Sequence, residues 1–139
     1  MLYRKSGKTW MVRLDVGEDI IAQMKKLCAD EKIRLGRVDA IGAADRAVIG
    51  VYDPVLKEYY PEEIDEFMEI TSLIGNITTM GGEPYIHLHA TLADQRHAVH
   101  GGHVIEMRVG ATCEMFITVS DGEVTRKKDE KLGINLWSF

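Results

Sequence analysis

Cysteine is nearly absent from this sequence, where Cys28 and Cys113 stand far apart as the only two. Two isolated thiols exclude a closely spaced thiolate metal site or redox pair and point to a reducing compartment. Proline is almost as scarce: Pro54, Pro61 and Pro84 each sit beside polar or turn residues, and no Pro/Ser linker, repeat or low-complexity tract divides the chain. A single domain over 1–139 is the reading this supports. Basic excess is missing too, since 17 Lys and Arg face 22 Asp and Glu for a net charge of -5. That balance opposes nonspecific attraction to a phosphate backbone, so DNA is disfavoured as a partner. No apolar run approaches the ~20 residues of a membrane span, and none follows the early cations Arg4, Lys5 and Lys8 as a secretory signal would require. A cytoplasmic location without a membrane partner is expected.

What the sequence does have is apolar material for a continuous core, 45% of its residues, distributed with two different periods. Ile20, Ile21, Met24, Leu27 and Cys28 recur at helical spacing, with Glu18 and Asp19 in the first turn and Lys25 and Lys26 later. This spacing predicts one helix, roughly 18–32. Strand character fills most of the remainder: 9–14, 36–41, 46–52, 58–60, 66–77, 85–92, 104–109, 112–119 and 134–137. Turn signals separate these runs, notably Asp53-Pro54, Gly81-Gly82, Gly101-Gly102 and Asp121-Gly122. One helix among short strands with hairpin-length connections predicts an α+β fold, a curved and mostly antiparallel sheet covered by the helix. Such a sheet must cover its edges and second face, by barrel closure or by oligomerisation.

The chemistry-bearing residues are histidines. In Tyr85-Ile86-His87-Leu88-His89-Ala90-Thr91-Leu92 the strand period of two puts His87 and His89 on one face and the apolar residues on the other. His103 follows Gly101-Gly102, where a hairpin would return the chain beside that strand. Three neutral imidazoles on adjoining strands suit Zn2+ and leave a fourth position for water or substrate. His97 and His100 compete for the role from the intervening segment, where a solvated loop is the plainer reading. Glu114 is the candidate acid or base near the metal, unless strand alternation simply turns it outward between Cys113 and Met115. Arg126 is a candidate partner for that carboxylate or for an anionic ligand, although the run Lys127, Lys128, Asp129 and Glu130 around it reads as a solvated face. Asn76 and Thr91 are candidate supporting polar groups.

Several of these stretches occur in an order that resembles a known family. Ala40-Ile41-Gly42-Ala43, Gly50 to Tyr52, Glu69-Ile70-Thr71-Ser72-Leu73-Ile74-Gly75-Asn76-Ile77, His87-Leu88-His89-Ala90, Gly101-Gly102-His103-Val104, Thr112-Cys113-Glu114, Arg126 and the tail from Gly133 to Trp137 look like the plant-and-prokaryote conserved (PPC) domain from end to end. In plants that domain follows AT-hook segments, whose Arg-Gly-Arg-Pro core is absent here, and stand-alone prokaryotic members are often labelled DNA-binding. The resemblance implies a homotrimer and a fold similar to that of acetolactate decarboxylase, whose zinc is held by an HxH pair and a further histidine. Onto that pattern His87, His89 and His103 map as metal ligands. The expected function is metal-dependent lyase or hydrolase chemistry on a small oxygenated molecule, with a DNA-binding regulator or a protein-interaction module as the alternative.

Overall fold

The computed structural model describes residues 1–139. Nine strands and one helix follow one another as β1 (Leu2–Ser6), β2 (Thr9–Asp15), α1 (Ile20–Asp30), β3 (Gly36–Asp53), β4 (Glu58–Ile64), β5 (Met68–Met80), β6 (Glu83–Ala93), β7 (Val99–Val119), β8 (Thr125–Lys128) and β9 (Asn135–Ser138). All strands belong to one sheet, antiparallel throughout except where β8 meets β5 at Thr79 and Thr125. The expected α+β class with a curved antiparallel sheet and one main helix is what the chain adopts. No helix is long and apolar enough to cross a membrane.

The sheet closes on itself. β7 pairs with β3, β3 with β5, β5 with β6, and β6 back with β7. This circuit gives β3, β5, β6 and β7 partners on both sides and leaves edges only at β1, β4 and β9. It depends on bending β3 and β7, which are far longer than an ordinary strand. Register shifts between Ala40 and Gly42, Gly42 and Ala44, Ala44 and Arg46, and Val48 and Ile49 provide the bends. Bulges add local twist without a turn, so what reads in sequence as two strands on either side of Gly42 or Gly110 is one continuous strand.

The core lies inside the curl. Leu73, Ile77, Leu88, Leu92, Met107, Val109, Cys113 and Ile117 are fully buried there. Helix α1 plugs the open side against β6 and β7. Asp19 caps it by accepting a hydrogen bond from the Ala22 amide at 2.6 Å, and Ile20, Met24, Leu27 and Cys28 form the buried stripe at helical spacing. Both cysteines are buried and free, and burial pushes each thiol up to about 12, which leaves them as apolar packing groups. On the outside of the sheet, Ile41, Phe67, Ile74 and Phe116 are exposed.

Candidate metal centre

Strand β6 alternates as its sequence requires: Ile86, Leu88, Ala90 and Leu92 enter the core while Tyr85, His87 and His89 face outward. His103 of β7 stands directly across from His89 in the antiparallel pair. The three imidazole centroids are 5.1 to 5.5 Å apart, and one ring nitrogen from each lies within 4.8 Å of the others. Modest ring rotation converts that spread into the ~2.1 Å reach of a Zn–N bond.

Two glycines make the approach close enough. A Cβ at Gly75 of β5 would sit 1.9 Å from the His87 carbonyl oxygen, and one at Gly102 would sit 2.8 Å from the Gly50 carbonyl oxygen. Here the structure corrects the sequence reading, because Gly101 and Gly102 are not the hairpin. They lie inside β7, opposite Thr91 and Ala90. The turn is at 94–98, where the Asp94 carboxylate accepts from the Arg96 and Ala98 amides, each at 2.8 Å, and His97 takes a φ of 64°. The glycines serve close strand packing instead.

The donor set fits a metal ion. His103 Nδ1 is buried and has no hydrogen-bond partner, so the protein leaves this ring's polar capacity unmet. Burial above all, then the neighbouring His103, Arg126 and His89, pushes His87 down to about 4. His103 is lowered as well, first by burial and then by His89 and Arg126. Both rings are therefore neutral at physiological pH, the form that ligates. Three imidazoles suit a divalent transition metal, and the residues that would hold it are His87, His89 and His103.

His97 and His100 are not in the cluster. His97 occupies the 94–98 turn, and His100 pairs across to Leu92 with its Nδ1 3.2 Å from a Glu62 carboxylate oxygen. Glu114 is not brought to the cluster either. It is exposed between buried Cys113 and Met115, eleven residues along β7 from His103, a contour of roughly 36 Å. Strand alternation turned it outward, and its cross-strand neighbours are Arg13 and Ile41.

Arg126 departs from the solvated-face reading in the other direction. It is 7% exposed, sits in β8, and reaches over the outer face beside the histidines. Its Nε donates to Thr78 Oγ1 at 2.8 Å, one terminal nitrogen to the Asn135 carbonyl at 2.8 Å, and the other to Asn76 Oδ1 at 2.9 Å. That last nitrogen also lies 3.3 Å from His87 Nδ1. Tyr85 stacks under the guanidinium at 4.6 Å. Asn76 thus supports the centre through Arg126, while the Thr91 backbone carbonyl accepts from the Thr71 hydroxyl. Arg126, Tyr52, Tyr59, Tyr85 and Asn135 wall a cavity of about 450 Å³ that opens onto all three histidines. Tyr85 was legible as lying two residues before His87 on the same face. Tyr59 was not, since its ring reaches His103, at 5.5 Å, only through the pairing of β3 with β4.

Comparison with known proteins places this geometry in context. The family model of the Plants and Prokaryotes Conserved (PCC) domain matches residues 1–121. A candidate DNA-binding protein of known structure from Bacteroides thetaiotaomicron is 26% identical with a TM-score of 0.96, over 99% of this chain and 96% of that one. A metal-containing protein from Archaeoglobus fulgidus is 35% identical with a TM-score of 0.89, over 100% of this chain and 99% of that one. Alpha-acetolactate decarboxylase from Bacillus subtilis is similar in fold alone, at 16% identity and a TM-score of 0.58, over 88% of this chain and 57% of that one. Among curated sequences, bifunctional protein GlmU from a Synechococcus strain is 29% identical over 100 residues, which are 71% of this chain and about 15% of that protein's length.

Proposed function

Since the chain belongs to the Plants and Prokaryotes Conserved (PCC) domain family, we propose that it is a zinc protein whose His87, His89 and His103 hold the ion and whose adjoining cavity receives a small oxygenated molecule. The observation that carries this reading is the convergence of one ring nitrogen from each of the three histidines within 4.8 Å, on rings that include His103, whose buried Nδ1 has no hydrogen-bond partner. A buried polar atom left unpaired costs about 1–3 kcal/mol, so a ligating role accounts for it better than a structural one. The metal-containing relative from Archaeoglobus fulgidus supports it further.

Zinc bound there would supply Lewis-acid polarisation of an oxygen, the chemistry of a lyase or hydrolase step. The protein's own residues do the rest: the three imidazoles line the cavity, Arg126 braces His87, and Tyr52, Tyr59 and Tyr85 restrict water around the ligand. Glu114 has no part in this reading. The domain acts as a homotrimer in it, with Ile41, Phe67, Ile74 and Phe116 supplying the apolar contact face.

DNA regulation is the second reading, favoured by the candidate DNA-binding relative. The net charge of -5 weighs against it. The deciding experiment is cobalt(II) substitution of metal-free protein followed by a visible spectrum with and without azide. An intense four-coordinate band that azide shifts supports an open catalytic position. A band that azide leaves unchanged assigns the ion a structural role.

A further inference from the structure

Arg126 is an almost fully buried cation without a carboxylate partner. Its acceptors, Thr78 Oγ1, Asn76 Oδ1 and the Asn135 carbonyl, are all neutral, and it forms no ion pair. In a chain with more acidic than basic residues this is unusual, since 22 carboxylates were available to compensate it. A buried charge is ordinarily paired, because leaving it alone in a poorly solvated site is costly. Nor does any acidic side chain line the cavity beside it. Three neutral imidazoles would leave a divalent ion its full double charge, and Arg126 adds another positive charge to the same space.

We propose that the cavity is an anion site and that its ligand is a small carboxylate, with the carboxylate group on the guanidinium side and a second oxygen directed to the histidine cluster. Charge balance requires an anion, and the cavity, not the protein, is left to provide it. Its shape fits the same class of molecule. About 450 Å³ is enough for a small organic acid, and Tyr52 and Tyr59, with ring centroids 4.8 Å apart, offer an apolar wall for the carbon frame opposite Arg126. Thr78, Asn135, Asn76 and His87 occupy four of the five guanidinium N–H groups, which leaves one on the Asn135-bonded nitrogen to donate a charge-assisted hydrogen bond to a carboxylate oxygen, and the Tyr85 ring stacked under the plane fixes its orientation. Asn76 and Thr78 from β5 and Asn135 from β9 hold the fork in place before any ligand arrives, so little side-chain freedom is lost on binding.

This assignment rests on the cavity reading of the preceding subsection, but not on zinc being present. The test uses two probes of nearly equal shape, 2-hydroxyisobutyrate and its neutral amide, titrated by NMR into full-length protein. In chelator-treated wild type the carboxylate should bind at least tenfold more tightly than the amide, and Arg126→Met should erase that preference while Arg126→Lys keeps part of it. Loading zinc should strengthen carboxylate binding again. Equal affinity for the two probes in metal-free wild type would overturn the anion site, and so would a preference that survives in Arg126→Met. Should Arg126→Met fail to fold, the wild-type comparison of the two probes decides alone. A preference that is present in metal-free protein, with no gain on adding zinc, would sustain the anion site on Arg126 while overturning the direction of the second oxygen to the histidine cluster.

Discussion

His89 and His103 face each other directly across the β6/β7 pair, with ring centroids 5.5 Å apart. Directly opposed residues on an antiparallel pair are the closest cross-strand neighbours a sheet provides, and here both carry imidazoles. His87 joins them from the next outward position along β6, so the strand register assembles the cluster.

Each ligand is therefore expected to matter separately for metal binding. His89→Ala and His103→Ala should each weaken zinc affinity by more than about 100-fold and leave the fold intact, because both side chains point away from the core. His97→Ala and His100→Ala should retain wild-type affinity. Competition against a fluorescent zinc chelator measures all four, and loss of affinity in His97→Ala would show the wrong cluster had been assigned.

Metal-free protein should lose stability as the solution is acidified. In the unfolded chain a histidine takes up its proton near ~6.5, whereas burial holds His87 at about 4 in the folded one. Between these values the unfolded state binds more protons, so unfolding becomes more favourable as pH falls from about 6.5 toward 4. Thermal melts of chelated protein across this window should show a falling Tm. The fall should be shallower in His87→Gln, and identical slopes in the two proteins would refute the contribution of this ring.

Substituting Gly75 tests how backbone packing sets the site. With a Cβ only 1.9 Å from the His87 carbonyl oxygen, Gly75→Ala must push β5 and β6 apart. Overpacking of this kind costs about 1–3 kcal/mol. Urea denaturation should register that loss, and zinc affinity should drop with it. Wild-type stability would mean that the strands yield at no cost.

Assembly is open to a direct check. Light scattering at micromolar concentration should report about three times 15.6 kDa, and Phe116→Glu or Ile74→Glu should reduce it toward one. A monomeric wild type would contradict the trimer.

Much of this fold could be read from local periodicity. The HxH pair was legible because a strand repeats every two residues, and α1 because Ile20, Met24, Leu27 and Cys28 share one helical face. The continuity of β3 and β7 was not, since bulges leave no turn residues behind, and β1 was hidden because its five residues are all exposed. Gly101-Gly102 resembled a turn, but the turn belongs to Asp94, whose carboxylate accepts from two backbone amides. His103 still reaches the cluster, since the Asp94 turn sets the register that brings it opposite His89. Arg126 was a candidate from the sequence, but its burial lay beyond local pattern: it depends on Asn76, Thr78 and Asn135, which β5 and β9 bring together only in the folded chain.

The most direct test is the zinc content of freshly purified wild type beside His89→Ala, measured by plasma mass spectrometry after gel filtration. The three-histidine centre predicts close to one zinc per chain in the wild type and close to none in the variant. Equal zinc in the two proteins, or none in either after incubation with excess zinc, would contradict it.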